Sequence, residues 1–176
     1  MTDPDPVRIL LVEDNPGDAR LLQETLRDAR SLRFDLVHAG RMSEALERLS
    51  GEMPDVVLLD LSLPDAHGLE TVATMLRAAP AVPIIVLTGL SDETVAVQAV
   101  QAGAQDYLVK GSVEGGTLAR AIRYAMERKR LEAERARLLA TAAARSRCIT
   151  RSRTDGFFLP ARSRRCCKAA SASWTW

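Results

Sequence analysis

The chain has 176 residues, of which 47% are hydrophobic and 27% are charged, so it can bury one sizeable core and carry an appendage. No segment has the long uncharged apolar run of a membrane span, and the opening stretch MTDPDP lacks the basic and apolar regions of a secretion signal. We therefore expect a cytoplasmic protein that does not associate with membranes.

Charge is distributed unevenly along the chain, although the formal net charge is +1. Residues 1–111 have a net charge of −9, residues 112–144 of +3 and residues 145–176 of +7. The last block also contains every cysteine and tryptophan of the chain: Cys148, Cys166, Cys167, Trp174 and Trp176. Cysteines confined to such a tail, with no histidine nearby, predict neither a disulfide framework nor a zinc site. The chain therefore contains at least two compositionally different parts.

Short apolar segments and amphipathic segments alternate through the first two thirds of the chain. The apolar segments predict strands at residues 8–12, 34–39, 55–59, 83–88 and 106–110. The amphipathic segments predict helices at residues 17–29, 42–50, 68–79 and 91–103, followed by a last helix from Leu118. Ser43 is a candidate N-cap of the second helix. This alternation predicts an α/β fold, a doubly wound five-stranded parallel sheet flanked by five helices, with the last helix extended.

Charged and polar residues follow four of these strands. Asp60 ends an aliphatic run, where an unpaired carboxylate would be costly. In a parallel sheet the ligand site lies at the carboxyl ends of the strands, so Asp60 should lie near Glu13, Asp14, Thr88 and Lys110. Three carboxylates so close demand a cation, and an all-oxygen ligand set suits Mg²⁺. With Lys110 and Thr88 holding an oxyanion, Asp60 is predicted to accept a phosphoryl group.

Four segments carry a family resemblance: LLVEDNPGDARLL, VVLLDLSLPDAHGLE, VPIIVLTGLSDE and AGAQDYLVKG. Together they resemble the receiver domain of two-component response regulators, from about Arg8 to about Met126 and in family order. The resemblance implies a flavodoxin-like fold and a signalling module rather than an enzyme. It also implies a phosphoryl donor, which is a histidine kinase or a histidine phosphotransfer protein.

The resemblance assigns a role to each site residue. Glu13 and Asp14 correspond to the acidic Mg²⁺ pair, Asp60 to the phosphoacceptor, and Ser62 to the residue whose backbone carbonyl binds the metal. Three further residues correspond to the phosphate-binding and switch positions: Thr88 as the hydroxyl, Tyr107 as the aromatic and Lys110 as the phosphate-contacting lysine. The Lys110-Gly111 step lacks the proline that follows this lysine in many receivers, where that peptide is cis.

Two other functional classes are compatible with parts of the pattern. A Mg²⁺-dependent phosphotransferase or phosphatase also passes through an aspartyl phosphate. Such hydrolases usually carry a second aspartate two residues after the nucleophile, and Ser62 occupies that position here. A nucleotide-binding domain is disfavoured because no glycine-rich fingerprint follows the first strand. The glycines of SVEGGTLA are followed by no Gly-Lys-Ser/Thr, so they are expected in the loop before the last helix.

The C-terminal third divides into a charged helix and a basic tail. Residues 1–126 are assigned to the receiver domain, and residues 127–144 to a helix with leucines seven apart at Leu131 and Leu138 and Tyr124 seven before. We expect this helix to be a signalling coiled coil that forms a homodimer, with a solvated single helix as the alternative.

Residues 145–176 are expected to be a disordered tail, with no output domain in the chain. Their composition suggests an out-of-frame or vestigial end. The alternative is a basic arm for nucleic acid, which is disfavoured because no motif positions its aromatic residues.

Overall fold

The computed structural model of the chain describes residues 5–29, 32–89, 93–111 and 113–154. The strands are β1 (Val7–Val12), β2 (Phe34–Ala39), β3 (Val56–Asp60), β4 (Ser62–Leu63), β5 (Ala66–His67), β6 (Ile84–Thr88) and β7 (Asp106–Val109). The helices are α1 (Pro16–Asp28), α2 (Met42–Leu49), α3 (Gly68–Ala78), α4 (Glu93–Gln101) and α5 (Gly115–Thr154). The chain divides into two units, Met1–Glu134 and Arg135–Trp176, and the first contains the sheet.

Five strands form one parallel sheet in the order β2-β1-β3-β6-β7. Strand β2 lies on one side of β1, whereas β3, β6 and β7 follow in order on its other side. The strand order therefore reverses between β1 and β3. A crevice at the carboxyl ends of these two strands is the usual ligand position in this topology. The doubly wound five-stranded parallel sheet predicted from the sequence is confirmed.

Helices cover both faces of the sheet because successive side chains of each strand point to opposite faces. In β1, Ile9 and Leu11 pack in a core with α1 and α5. Leu10 and Val12 pack in a second core with α2, α3 and α4. The central strands β3 and β6 are buried along their whole length, which explains their continuous aliphatic runs.

Helix α2 is capped by carboxylates rather than by its own serine. The helix begins at Met42, so Ser43 lies inside it and the predicted N-cap is wrong. The carboxylate of Asp65 accepts hydrogen bonds from the backbone N–H groups of Met42 (2.8 Å) and Ser43 (2.9 Å). Glu44 accepts one from Gly40 N–H at 2.9 Å. The Asp65 bonds satisfy donors that the helix start leaves free, and these hydrogen bonds lower the pKa of both carboxyl groups.

The last helix begins earlier and extends further than the sequence indicated. Gly115 and Gly116 lie in its first turn rather than in the preceding loop. The helix is described to Thr154, ten residues past the expected end at Ala144, because neither glycine nor proline occurs between Thr117 and Thr154. Residues 155–176 of the predicted tail lie outside the described residues. None of the described helices combines the length and apolar character needed to cross a bilayer.

Gln105 ties helix α5 to the sheet. This residue is buried just before β7, and its backbone N–H donates to the Ile84 carbonyl at 2.8 Å. Its own carbonyl accepts from the Arg128 guanidinium at 3.2 Å, and its side-chain amide donates to Glu132 at 3.3 Å. The helix is therefore held against the sheet as far as Glu132, beyond the expected domain boundary at Met126.

The Asp65 cap predicts a pH-dependent contribution to stability. Asp65→Ala should lower the free energy of unfolding by about 1 kcal/mol at neutral pH. The hydrogen bond from Ser43 N–H leads the lowering of the Asp65 pKa, so the charged form is favoured by folding. Its stabilisation is therefore complete above about pH 4 and is lost as the pH falls through the folded pKa. Urea unfolding of the wild type and the Asp65→Ala protein, at neutral pH and at a pH below about 4, measures this difference.

Asp65→Asn is the control for the charge, since it keeps one acceptor oxygen but does not titrate. At neutral pH, the free energy of unfolding of the Asp65→Asn protein should lie between those of the wild type and the Asp65→Ala protein. An Asp65→Ala difference that stays constant as the pH falls would contradict the charged cap.

Gly115 predicts a steric limit between α1 and α5. A Cβ at this position would overlap the Thr25 carbonyl oxygen, so Gly115→Ala should destabilise the protein by about 1–3 kcal/mol despite alanine's higher helix propensity. At Gly116 a Cβ meets nothing within 4 Å, and Gly116→Ala should stabilise by about 0.5–1 kcal/mol. Thermal unfolding of both variants checks the pair, and equal shifts would disprove the close packing.

Candidate functional site

The ends of four strands bring the predicted site residues together. The parallel register places Val12 beside Leu59, Asp60 beside Leu87 and Thr88 beside Val109. The residues that end or follow these strands consequently reach the same edge of the sheet: Glu13 and Asp14 after β1, Asp60 at the end of β3, Thr88 at the end of β6, and Lys110 after β7.

Lys110 lies between the carboxylates. Its Nζ is 2.6 Å from Glu13 Oε2, 3.0 Å from Asp60 Oδ2 and 3.4 Å from Asp18 Oδ2. Glu13 and Asp60 are 0% and 5% exposed, and burying two carboxylates side by side requires a nearby positive charge. One ammonium therefore provides the counter-charge for both buried acids.

Burial and hydrogen bonding shift two pKa values in this cluster. Burial is the main reason that the pKa of Glu13 is raised, and the negative charge of Asp60 raises it further, while contacts with Lys110 and Asn15 N–H oppose the shift. For Lys110, burial alone would lower the pKa, but bonds to Glu13 and Asp60 outweigh it and raise the value. The lysine is thus held in its charged form.

Glu13 is fixed by its neighbours. Its Oε1 accepts from Asn15 N–H at 3.1 Å, and His38 Nε2 donates to its backbone carbonyl at 2.7 Å. Its buried Oε2 lies 2.6 Å from the Lys110 ammonium, which is its counter-charge in this structure. A carboxylate oxygen at the carboxyl edge of the sheet can also serve as a ligand of a divalent cation.

The acidic residues are spaced for a divalent ion. Glu13, Asp14 and Asp60 each offer a carboxylate oxygen, and these atoms all lie within 4.8 Å of one another. Carboxylate oxygens grouped in this way are the donor type that Mg²⁺ prefers in proteins. Asp14 is exposed while the other two are buried, which leaves one side of the cluster open to water and ligands. The residues present therefore fit the predicted metal.

The two residues predicted to form the switch occupy different depths. Thr88 is buried, and its hydroxyl donates to the Gly89 carbonyl at 3.2 Å. Tyr107 is partly buried and packs against the core formed with α2, α3 and α4. The strand pair β6-β7 sets Tyr107 beside Val86, two residues before Thr88.

Ser62 and Gly111 flank the cluster. Ser62, two residues after Asp60, is exposed in the two-stranded β4-β5 hairpin, where it pairs with His67. The Lys110-Gly111 peptide is trans, and Gly111 has φ of 77°, a conformation that favours glycine.

Two neighbours of the cluster were not predicted as site residues. The sequence pattern places Asp18 only in a helix and His38 only in a strand. Asp18 is the third residue of α1, which begins directly after the Asn15 cap, so it stays close to the acids that follow β1. This spacing was available in the sequence. The contact of His38 with Glu13 depends on the pairing of β2 with β1, which no local pattern reveals.

Comparisons with known proteins agree with this arrangement. A sequence profile of the response regulator receiver domain matches residues 9–123. The DNA-binding response regulator MtrA of Mycolicibacterium smegmatis is 41% identical over 103 residues, which cover 58% of this chain and 43% of the relative. The DNA-binding transcriptional activator DevR/DosR of Mycobacterium tuberculosis is 35% identical over 118 residues, covering 66% of this chain and 53% of the relative. The chain thus spans about half the length of these curated relatives.

A solved structure agrees over almost its full length. The crystal structure of a response regulator receiver domain protein from Clostridium thermocellum superimposes with a TM-score of 0.62 and 26% identity. The match covers 71% of this chain and 98% of that one. The profile match spans well over half of the chain and includes the sheet, Asp60 and Lys110, so the chain belongs to the response regulator receiver domain family, a family of signalling domains.

Proposed function

We propose that this chain accepts a phosphoryl group on Asp60 and passes the signal on by changing conformation. The supporting observation is the position of Asp60. Its carboxylate is almost fully buried at a strand end, 3.0 Å from the Lys110 ammonium and close to two further acids. A buried, paired carboxylate at the open edge of a parallel sheet is arranged for reaction with a ligand that reaches that edge.

The reaction is a transfer between two protein side chains. The phosphoryl donor is a phosphohistidine of a histidine kinase or a histidine phosphotransfer protein. A carboxylate oxygen of Asp60 attacks phosphorus, the P–N bond breaks, and the histidine leaves with the electron pair and takes up a proton. Lys110 and Thr88 would then bind oxygens of the phosphoryl group, which carries roughly two negative charges.

Mg²⁺ would be held by the carboxylates of Glu13, Asp14 and Asp60 and by the backbone carbonyl of Ser62. When bound, it neutralises charge on the phosphoryl oxygens. The chain's own contribution is orientation: Asn15 N–H fixes one oxygen of Glu13, while the other faces the cluster.

Turnover as a phosphatase is the alternative function. No feature of the described residues favours it, since Ser62 stands where hydrolases carry their second aspartate and its side chain is exposed in the hairpin. Exposure of the chain to a small acyl phosphate and Mg²⁺ separates the two functions. A stoichiometric aspartyl phosphate indicates a receiver, and repeated release of phosphate indicates an enzyme.

The helix after the domain is proposed to be the output of the switch, through pairing with a second copy. Tyr124, Leu131 and Leu138 recur at intervals of seven and are 64%, 49% and 65% exposed. Apolar side chains at this spacing can meet those of a second helix.

Asp60→Asn is expected to abolish Mg²⁺-dependent labelling by a small phosphodonor such as acetyl phosphate, because the amide is a poor nucleophile. Circular dichroism should show an intact fold. Asp35→Asn, which changes an exposed carboxylate on β2, should leave labelling unchanged. Full labelling of the Asp60→Asn protein on another carboxylate would disprove the assignment.

Asp14→Ala is expected to raise the Mg²⁺ concentration needed for half-maximal labelling by about tenfold or more, because it removes a charged ligand from a water-rich site. The measurement is the initial labelling rate as Mg²⁺ is varied. Glu47→Ala, an exposed acid on α2, serves as the control. An unchanged Mg²⁺ dependence of the Asp14→Ala protein would contradict the metal assignment.

Phosphorylation is expected to change the association of the C-terminal helix. If Thr88 moves toward the phosphoryl group, it vacates space beside β6 that Tyr107 can fill, which alters the surface of α4, β7 and α5. Sedimentation of a chain cut after Ala144, with and without Mg²⁺ and beryllofluoride, measures the effect, and Leu131→Glu should abolish it. Identical association in both states, with unchanged Tyr107 signals by NMR, would reject this mechanism.

A further inference from the structure

Asp18 is an additional acidic neighbour of Lys110 that lies outside the proposed metal-ligand set. Its Oδ2 accepts a hydrogen bond from Lys110 Nζ at 3.4 Å. Its side chain is 39% exposed, compared with 0% for Glu13 and 7% for Asp60. Lys110 therefore contacts two buried carboxylates and one more exposed carboxylate, which comes from the first turn of α1.

The charges of this cluster do not balance. One ammonium contacts three carboxylates, and Asp14 adds a fourth nearby. The inner acids have a proposed role as metal ligands, whereas Asp18 does not. A phosphoryl group on Asp60 increases the negative charge beside Lys110. Asp18 then competes with the phosphoryl oxygens for the same ammonium, and it also repels them.

We propose that Asp18 is a positioning residue that holds Lys110 toward α1 and thereby weakens the binding of the phosphoryl group at Asp60. This proposal rests on the proposed function of Asp60. It assigns to α1 a part in setting how firmly the phosphorylated state is held. Removal of the Asp18 charge should release Lys110 to the phosphoryl oxygens.

A purely structural role for Asp18 predicts a different result. A carboxylate in the first turn of a helix stabilises that helix, so its removal should slightly lower the stability of the fold. A structural defect would weaken ligand binding together with stability. Competition for Lys110 predicts opposite changes, with lower stability and tighter binding of the phosphoryl group.

The test uses the full chain and beryllofluoride, a phosphoryl mimic, at saturating Mg²⁺. NMR titrations give its dissociation constant for the wild type, Asp18→Asn and Asp18→Ala, and urea unfolding gives their stability. Both variants should bind about two- to fivefold more tightly than the wild type, the range for a partly exposed ion pair. The difference should shrink as salt is added, because salt screens exposed charges.

Asp28→Asn is the matched control, since it removes the same charge from the exposed far end of α1 and should leave the affinity unchanged. If the wild type binds beryllofluoride and both Asp18 variants bind it equally or more weakly, the role of Asp18 is overturned, while the proposed function of Asp60 is not. An equal gain in the Asp28→Asn protein would also overturn it, by showing a general charge effect. If the wild type binds no beryllofluoride, the proposed phosphoacceptor function and this inference both fail.

Discussion

The contact of the Lys110 ammonium with Glu13 and Asp60 is the interaction on which the site depends. Two carboxylates buried beside each other would repel strongly and would each lose hydration, so a dry strand end tolerates them only with a cation in place. Lys110 provides that charge from the far side of the sheet. Its backbone N–H donates to the Thr88 carbonyl at 2.8 Å, so the pairing of β7 with β6 also fixes where the ammonium can reach.

The sheet makes this contact available through its strand order. Strands β1 and β3 are adjacent, and the strand order reverses between them. Glu13 and Asp60 therefore lie side by side at this point of the sheet. The aliphatic strands behind them are covered on both faces, which leaves the carboxyl edge as the place for charged groups. A rigid apolar sheet thereby supports a polar cluster at its carboxyl edge.

Capping joins the site to its surroundings. Asn15 accepts hydrogen bonds from Gly17 N–H and Asp18 N–H, so the cap that starts α1 also sets the position of the outer carboxylate. The segment after Asp60 is held in turn, because Asp65 caps α2 and Gly68 N–H donates to the Leu61 carbonyl at 2.8 Å. The segments that follow β1 and β3 are therefore tied to helices on both faces of the sheet.

Local patterns in the sequence determined the strands, the faces of the helices and the chemical type of the site. The aliphatic runs that end in Asp60 and Thr88 can be interpreted from two local rules, which are the side-chain period of a strand and the cost of burying a charge. Tertiary structure decided the features that join distant segments. Asp65 replaced Ser43 as the cap of α2, Gln105 anchored Arg128 and Glu132, and Lys110 came within reach of Asp18. Each of these depends on how far apart two elements pack, and a one-dimensional pattern of hydrophobicity and charge carries no such distance.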